Sequence, residues 1–148
     1  MSREAAPTVL SVTATRPAVL QIEWSTGETL QTDIGEQIER FKLLHPLHDP
    51  ERFTQVAPGL WGHSVTWGDA IDMGADHLYE LGRQQAGLPT PAEFAAWMKR
   101  HGLTLATAAT ALGLSHRMVA YYCTGAKPIP LVVGLACIGW ELRQRQAA

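Results

Sequence analysis

Apolar and polar residues alternate strictly near the start of the chain. Leu10, Val12 and Ala14 form one run, Leu20, Ile22 and Trp24 a second, and Leu30, Thr32 and Ile34 a third. Period-two alternation with β-branched and aromatic residues predicts half-buried strands. Ser25-Thr26-Gly27-Glu28 between the second and third runs reads as a hairpin turn, with Gly27 free to take a positive φ. The period then changes. Ile34, Ile38 and Phe41 fall at helical spacing and predict a short helix over 35–44. His45-Pro46-Leu47-His48-Asp49-Pro50 is expected to be loop, since neither proline continues a helix. Two more short strands are expected over 53–56 and 62–67. Helical spacing returns over 75–85 through Leu78 and Leu81, with Gly87 as a C-terminal cap.

Gly87-Leu88-Pro89-Thr90-Pro91 breaks the pattern, and everything after it is helical. Thr90 suits an N-cap, Pro91 the first helical position, and Glu93 the third position of a capping box. Phe94, Trp97, Met98 and His101 line one face of that helix, and Gly102 ends it. Thr104 caps a second helix whose inner face is Leu105, Ala108, Ala109 and Leu112. Gly113 gives a tight turn, Leu114 plugs the space beneath it, and Ser115 caps a third helix that buries Val119 and Tyr122. Gly125 ends this helix. After Pro128, Ile129 and Pro130, a last helix is expected to bury Leu131, Leu135, Ile138 and Leu142.

The ordered set Thr104, Ala109, Leu112-Gly113-Leu114-Ser115, Val119, Gly125 and Ile129-Pro130 resembles the helix-turn-helix of the Cro/C1-type repressors, the XRE family, over about residues 92–140. The resemblance implies that the third helix enters the major groove of double-stranded DNA. Ser115, His116 and Arg117 would open that recognition helix, with Tyr121 on the same outward face. Arg117 would reach guanine O6 and N7, Lys127 a phosphate, and Thr104 with the first amides of the second helix another phosphate. Leu105 stands where many family members carry Gln. The outward face of the second helix, Ala106, Thr107, Thr110 and Ala111, is bland. The first half has its own resemblance. Trp61-Gly62, Trp67-Gly68 and Ile71-Asp72-Met73-Gly74-Ala75-Asp76, with Leu78, are similar to a small bacterial α+β domain of unknown function. That domain occurs fused to, or encoded near, DNA-binding and toxin–antitoxin-like components, and implies a module that binds a partner or ligand.

The whole is therefore expected to be an α+β N-terminal domain joined to an all-α helix-turn-helix C-terminal domain: 1–86, a linker over 87–91, and 92–148. The 148 residues suffice for one ordinary domain or two small ones. With 46% hydrophobic and 18% charged residues, the composition is that of a globular chain. Charge divides unevenly. Residues 1–90 hold 6 Lys/Arg against 12 Asp/Glu, a net of −6; residues 91–148 hold 6 against 2, a net of +4. An acidic half beside a basic half suggests different partners. The basic count is low for a tight DNA binder, which argues for a homodimer or for reuse of the fold in protein contact.

Other chemistries are weaker. His45, His48 and Asp49 sit in a Pro-bounded segment without a metal-site frame. Asp69, Asp72, Asp76 and His77, with His63 upstream, would suit a divalent cation or acid–base work; the plainer reading makes Asp72 a helix cap. Cys123 and Cys137 form no CxxC pair and read as reduced thiols. Cys123 would sense oxidation if exposed, and Trp140 would mark a dimer contact if not core. No signal segment opens the chain, and the apolar run over 129–140 is too short to span a bilayer. The expectation is a cytoplasmic, sequence-specific DNA-binding regulator, not an enzyme, without metal or cofactor. The alternative is an antitoxin-like interaction module with a partner protein at its first domain.

Overall fold

The computed structural model describes residues 6–147. It is a mixed α+β structure with two small antiparallel sheets and several helices. The chain divides into two compact units, Met1–Ala86 and Gly87–Ala148.

In the first unit, β1 (Val9–Arg16), β2 (Val19–Trp24) and β3 (Thr29–Asp33) make an antiparallel meander. The β2–β3 turn has Gly27 at φ 91°, as its position demands. Leu20, Ile22, Trp24 and Leu30 all face the core. β1 departs from simple alternation: its register shifts between Val9 and Ser11, so Val9 is buried and Leu10, expected inside, points out. The second sheet contains β4 (Ala57–Pro58), β5 (Ser64–Trp67) and β6 (Ile71–Gly74). Val65, Trp67, Ile71 and Met73 supply its buried face, and the Trp67 indole N–H donates to the Phe53 carbonyl at 2.9 Å.

Between the sheets the prolines do not make a loop. α1 (Gly35–Arg40) gives way to a 3-10 helix over Lys42–His48 that contains Pro46. Asp49 then caps α2 (Pro50–Phe53), its carboxylate accepting from the Glu51 N–H at 3.0 Å. Pro50 at the first helical position lacks only an N–H that would have had no partner there. The expected strand over 53–56 is therefore the end of α2 and a turn. Asp72 is likewise not a cap: it lies in β6, and Gly74 precedes α3 (Ala75–Gln85).

One polar network ties this unit together. The Tyr79 hydroxyl and the Arg83 guanidinium, both on α3, donate to the carboxylate of Glu28 at the head of β3. Arg83 is only 8% exposed. Burial, reinforced by the hydrogen bond to Glu28, pushes the Tyr79 pKa up to about 12. A single-turn 3-10 segment, Leu60–Gly62, puts Trp61 at φ 56° and leaves the residue 78% exposed. Gly62 follows at φ 71°, and a Cβ there would stand 2.5 Å from the Val9 carbonyl oxygen.

The described residues of the second unit form α4 (Pro91–Arg100), α5 (Leu105–Leu112), α6 (His116–Thr124) and α7 (Leu131–Ala147). Phe94, Trp97, Met98, Ala108, Ala109, Val119, Tyr122, Ile129, Val133 and Cys137 form one apolar core. The expectation for α7 is reversed. Val133 and Cys137 face inward, while Leu131, Leu135, Ile138 and Leu142 are 48%, 58%, 63% and 53% exposed.

Candidate nucleic-acid interface

Local chemistry marks the ends of α5 and α6. Thr104 has an extended backbone, and its hydroxyl accepts from the Thr107 N–H at 3.2 Å. The Thr107 hydroxyl accepts in turn from the Thr104 N–H at 2.8 Å, closing a reciprocal capping box. Thr90 makes only half of such a box on α4: its hydroxyl accepts from the Glu93 N–H and donates to the Glu93 carboxylate. At the far end of α5, Gly113 takes φ 70° and ψ 31°. The Leu114 N–H then reaches back to the Ala109 carbonyl at 2.9 Å, satisfying an end-of-helix acceptor. Ser115 caps α6 by accepting from the Met118 N–H at 3.1 Å.

Core packing sets the roll of α6. Val119 and Tyr122 are buried, with the Tyr122 ring edge-on to Phe94 at 5.8 Å. His116 and Arg117 are consequently turned outward on the first turn, and Tyr121 is half-buried one turn later. Arg117 and Tyr121 are four apart and meet on one face. Arg117 Nε donates to the Tyr121 hydroxyl at 2.6 Å, and its guanidinium carbon lies 5.4 Å from the ring centroid. Gly125 at φ 78° ends the helix and lets the chain double back. Lys127 Nζ thereby comes within 5.2 Å of the same ring. Two cations thus share one aromatic ring.

Of the residues expected at the site, Arg117, Tyr121 and Lys127 are brought together, and His116 is exposed on the helix that carries the first two. Ser115 and Thr104 are engaged as caps of their own helices. The role of Tyr121 as the shared platform is not legible in the sequence. The 117/121 spacing hints at half of it, but the return of Lys127 depends on the turn after Gly125.

Elsewhere in this unit, Glu141 of α7 accepts from Arg100 and lies 2.8 Å from His101 Nε2. The hydrogen bonds from Arg100 and His101 hold its carboxyl below the usual range. Burial raises the Cys123 thiol pKa, and raises that of Cys137 to about 11. The Cys123 thiol lies 3.5 Å from Met98 sulfur. Among the described residues, no group of three or more His, Cys, Asp or Glu side chains is placed to hold a metal. No helix among them is long and apolar enough to cross a membrane.

A mixed α+β chain whose second unit displays two cations beside one capped helix is the class that this geometry defines. A comparison with solved structures gives it a relative: the crystal structure of NE0471 from Nitrosomonas europaea ATCC 19718, a candidate DNA binding protein by its name. The two are 42% identical; the match covers 95% of this chain and 90% of that one, with a TM-score of 0.60. The chain belongs to the same family as NE0471. No family model matches it, and no curated protein does.

Proposed function

We propose that this protein binds double-stranded DNA through its second unit, acting as a cytoplasmic transcriptional regulator of the helix-turn-helix type. α5, the Gly113 turn and α6 serve as the helix-turn-helix, and α6 enters the major groove from its Ser115 end. The observation that carries the reading is the Arg117–Tyr121–Lys127 cluster on the outer side of α6. Because Arg117 is held through Nε, its two terminal amino groups are left for a fork that matches guanine O6 and N7. Lys127, against the same ring, suits a backbone phosphate. The name of the 42% identical relative points the same way. The reading assigns the first unit a partner- or ligand-binding role and no reaction.

The test is a binding titration against the DNA upstream of the protein's own gene and against random duplex, at two salt concentrations. Arg117→Ala should lose roughly 1–3 kcal/mol of discrimination at one base pair. Lys127→Ala should weaken all duplexes about equally and lower the salt slope by about 1. Absence of DNA binding by the folded wild type would overturn the proposal.

A second reading has its own observation. The first unit presents Leu60 and the strained, exposed Trp61, together with exposed Leu10. Large exposed apolar side chains of this kind suit a protein contact. An antitoxin-like interaction module would use this surface, and co-purification with the product of a neighbouring gene would favour it.

A further inference from the structure

α7 turns the wrong way for a helix that merely closes a core. Val133 and Cys137 are buried, and Trp140 packs edge-on to Trp97 at 5.5 Å. That leaves Leu131, Leu135, Ile138 and Leu142 facing out, each about half exposed or more, with Val132 at 68% beside them. Gly139 lies between Ile138 and Leu142, and a Cβ placed on it would meet nothing within 4 Å. A groove of about 370 Å³ between α4 and α7 borders the same stripe, lined in part by Pro89, Ala96, Leu131, Leu135 and Ile138. From Ile129 to Trp140 the chain has no charged residue.

The spacing of the stripe identifies its occupant. Steps of four, three and four residues are those of alternating a and d positions in a heptad seam. The series reads the same in both directions. When two copies of α7 lie antiparallel about a two-fold axis, Leu135 of one therefore faces Ile138 of the other at the same time as Leu131 faces Leu142. Each of the four stripe residues meets another, which is the self-complementarity that an isologous interface requires. A parallel pairing would instead gather Arg143 and Arg145 of both copies at one end, with the helix dipoles aligned. We infer that α7 is a homodimerisation surface, seating the α7 of a second copy antiparallel along this stripe.

The size of the surface sets the strength of the pairing. α7 has 17 residues, so the contact strip is about 25 Å long and 10–12 Å wide. Counted on both copies, that is on the order of 500 Å² before the groove contributes, below the roughly 1,200 Å² of stable specific interfaces. The dimer is thus a concentration-dependent one. Its existence does not depend on DNA binding; that it would carry two recognition helices rests on the proposed function.

Sedimentation equilibrium of the full chain from about 5 to 500 µM, where small interfaces dissociate, is the test. Wild type should move from monomer to dimer across this range. Leu135→Glu with Ile138→Glu should weaken association at least tenfold, with the thermal midpoint retained. Leu142→Glu, near the helix end and away from the core, should weaken it in the same direction and stands in if the double variant fails to fold. Orientation is read by oxidation in a Cys123→Ala background. Leu131→Cys and Leu142→Cys should cross-link with each other and neither with itself, because two copies of residue 142 would lie about 16 Å apart along the axis. A wild type that stays monomeric throughout, or folded variants that dimerise undiminished, overturns the inference. Self-cross-linking of Leu142→Cys overturns the antiparallel arrangement. None of these results depends on whether DNA is bound.

Discussion

Replacing Glu28 by glutamine tests how the first unit is held together. Glu28 receives Tyr79 and Arg83 across 51 and 55 residues of sequence. The side chains of Arg83 and Glu28 are only 9% and 18% exposed. Removing one member of a buried ion pair strands the other, at a cost of about 3–5 kcal/mol. Glutamine keeps the shape and one acceptor oxygen, and Arg83 has further interactions, so about 2–3 kcal/mol is the expected loss. For a unit of this size that is a fall in Tm of roughly 10–20 °C. Amide hydrogen exchange over β2 and β3 is the suitable assay, because it reports this unit without averaging over the other. Glu28→Leu with Arg83→Met removes both charges together and should recover at least half of the loss. The pH dependence follows from Tyr79. Its pKa is near 10 when unfolded and about 12 when folded. The folded state holds the proton more tightly, so stability falls as pH rises through that interval. Burial is the first cause of the shift, so the fall should shrink in Glu28→Gln but persist. A loss under about 0.5 kcal/mol in Glu28→Gln, the usual scale of an inconsequential surface change, would refute the view that this pair is buried and coupled.

Other outcomes follow from single contacts. Gly62→Ala should destabilise the first unit by about 2–5 kcal/mol, through positive φ and a Cβ pressed on the Val9 carbonyl. Gly27→Ala, at φ 91° with nothing within 4 Å, should cost only about 1–2 kcal/mol in the same denaturation series. Tyr121→Phe keeps the ring beside both cations but removes the acceptor for Arg117 Nε. In the DNA titration it should cut selectivity several-fold and leave the salt slope intact; unchanged selectivity would deny Tyr121 a positioning role. Cys137, with its thiol pKa near 11 and its side chain buried, should resist alkylation at pH 8 until the protein unfolds. Mass spectrometry of the labelled chain reads this directly.

Legibility follows the range of the interaction involved. Helix caps act over three residues, so Thr90, Thr104, Ser115, Gly113 and Gly125 are readable as helix ends from sequence alone. The 45–53 segment misleads because proline reads first as a breaker, when Asp49-Pro50 is also a way to begin a helix. Asp72 resembles a cap because α3 follows closely; pairing of β6 with β5 decides otherwise and is invisible in the local string. The inward face of α7 is ambiguous in sequence because that helix is apolar on nearly every side down to Trp140. With no polar side to mark solvent, its roll is seen only in the fold, where Val133 and Cys137 join the core and Trp140 meets Trp97. The Glu28–Tyr79–Arg83 network and the sharing of Tyr121 by Arg117 and Lys127 depend on the folded path of the chain. In the candidate site the participating residues are legible, but the way they lean on one another is not.

The tryptophans make the molecule its own optical instrument. Trp24, Trp67 and Trp97 are buried and Trp140 is half-covered, while Trp61 stands in solvent. A collisional quencher such as acrylamide would extinguish the Trp61 emission first and leave the interior emitters bright. Shielding of that red-shifted, quenchable fraction would signal that something had settled on the first unit. Loss of the blue, protected fraction would signal unfolding instead. One cuvette therefore separates docking from denaturation with no label attached.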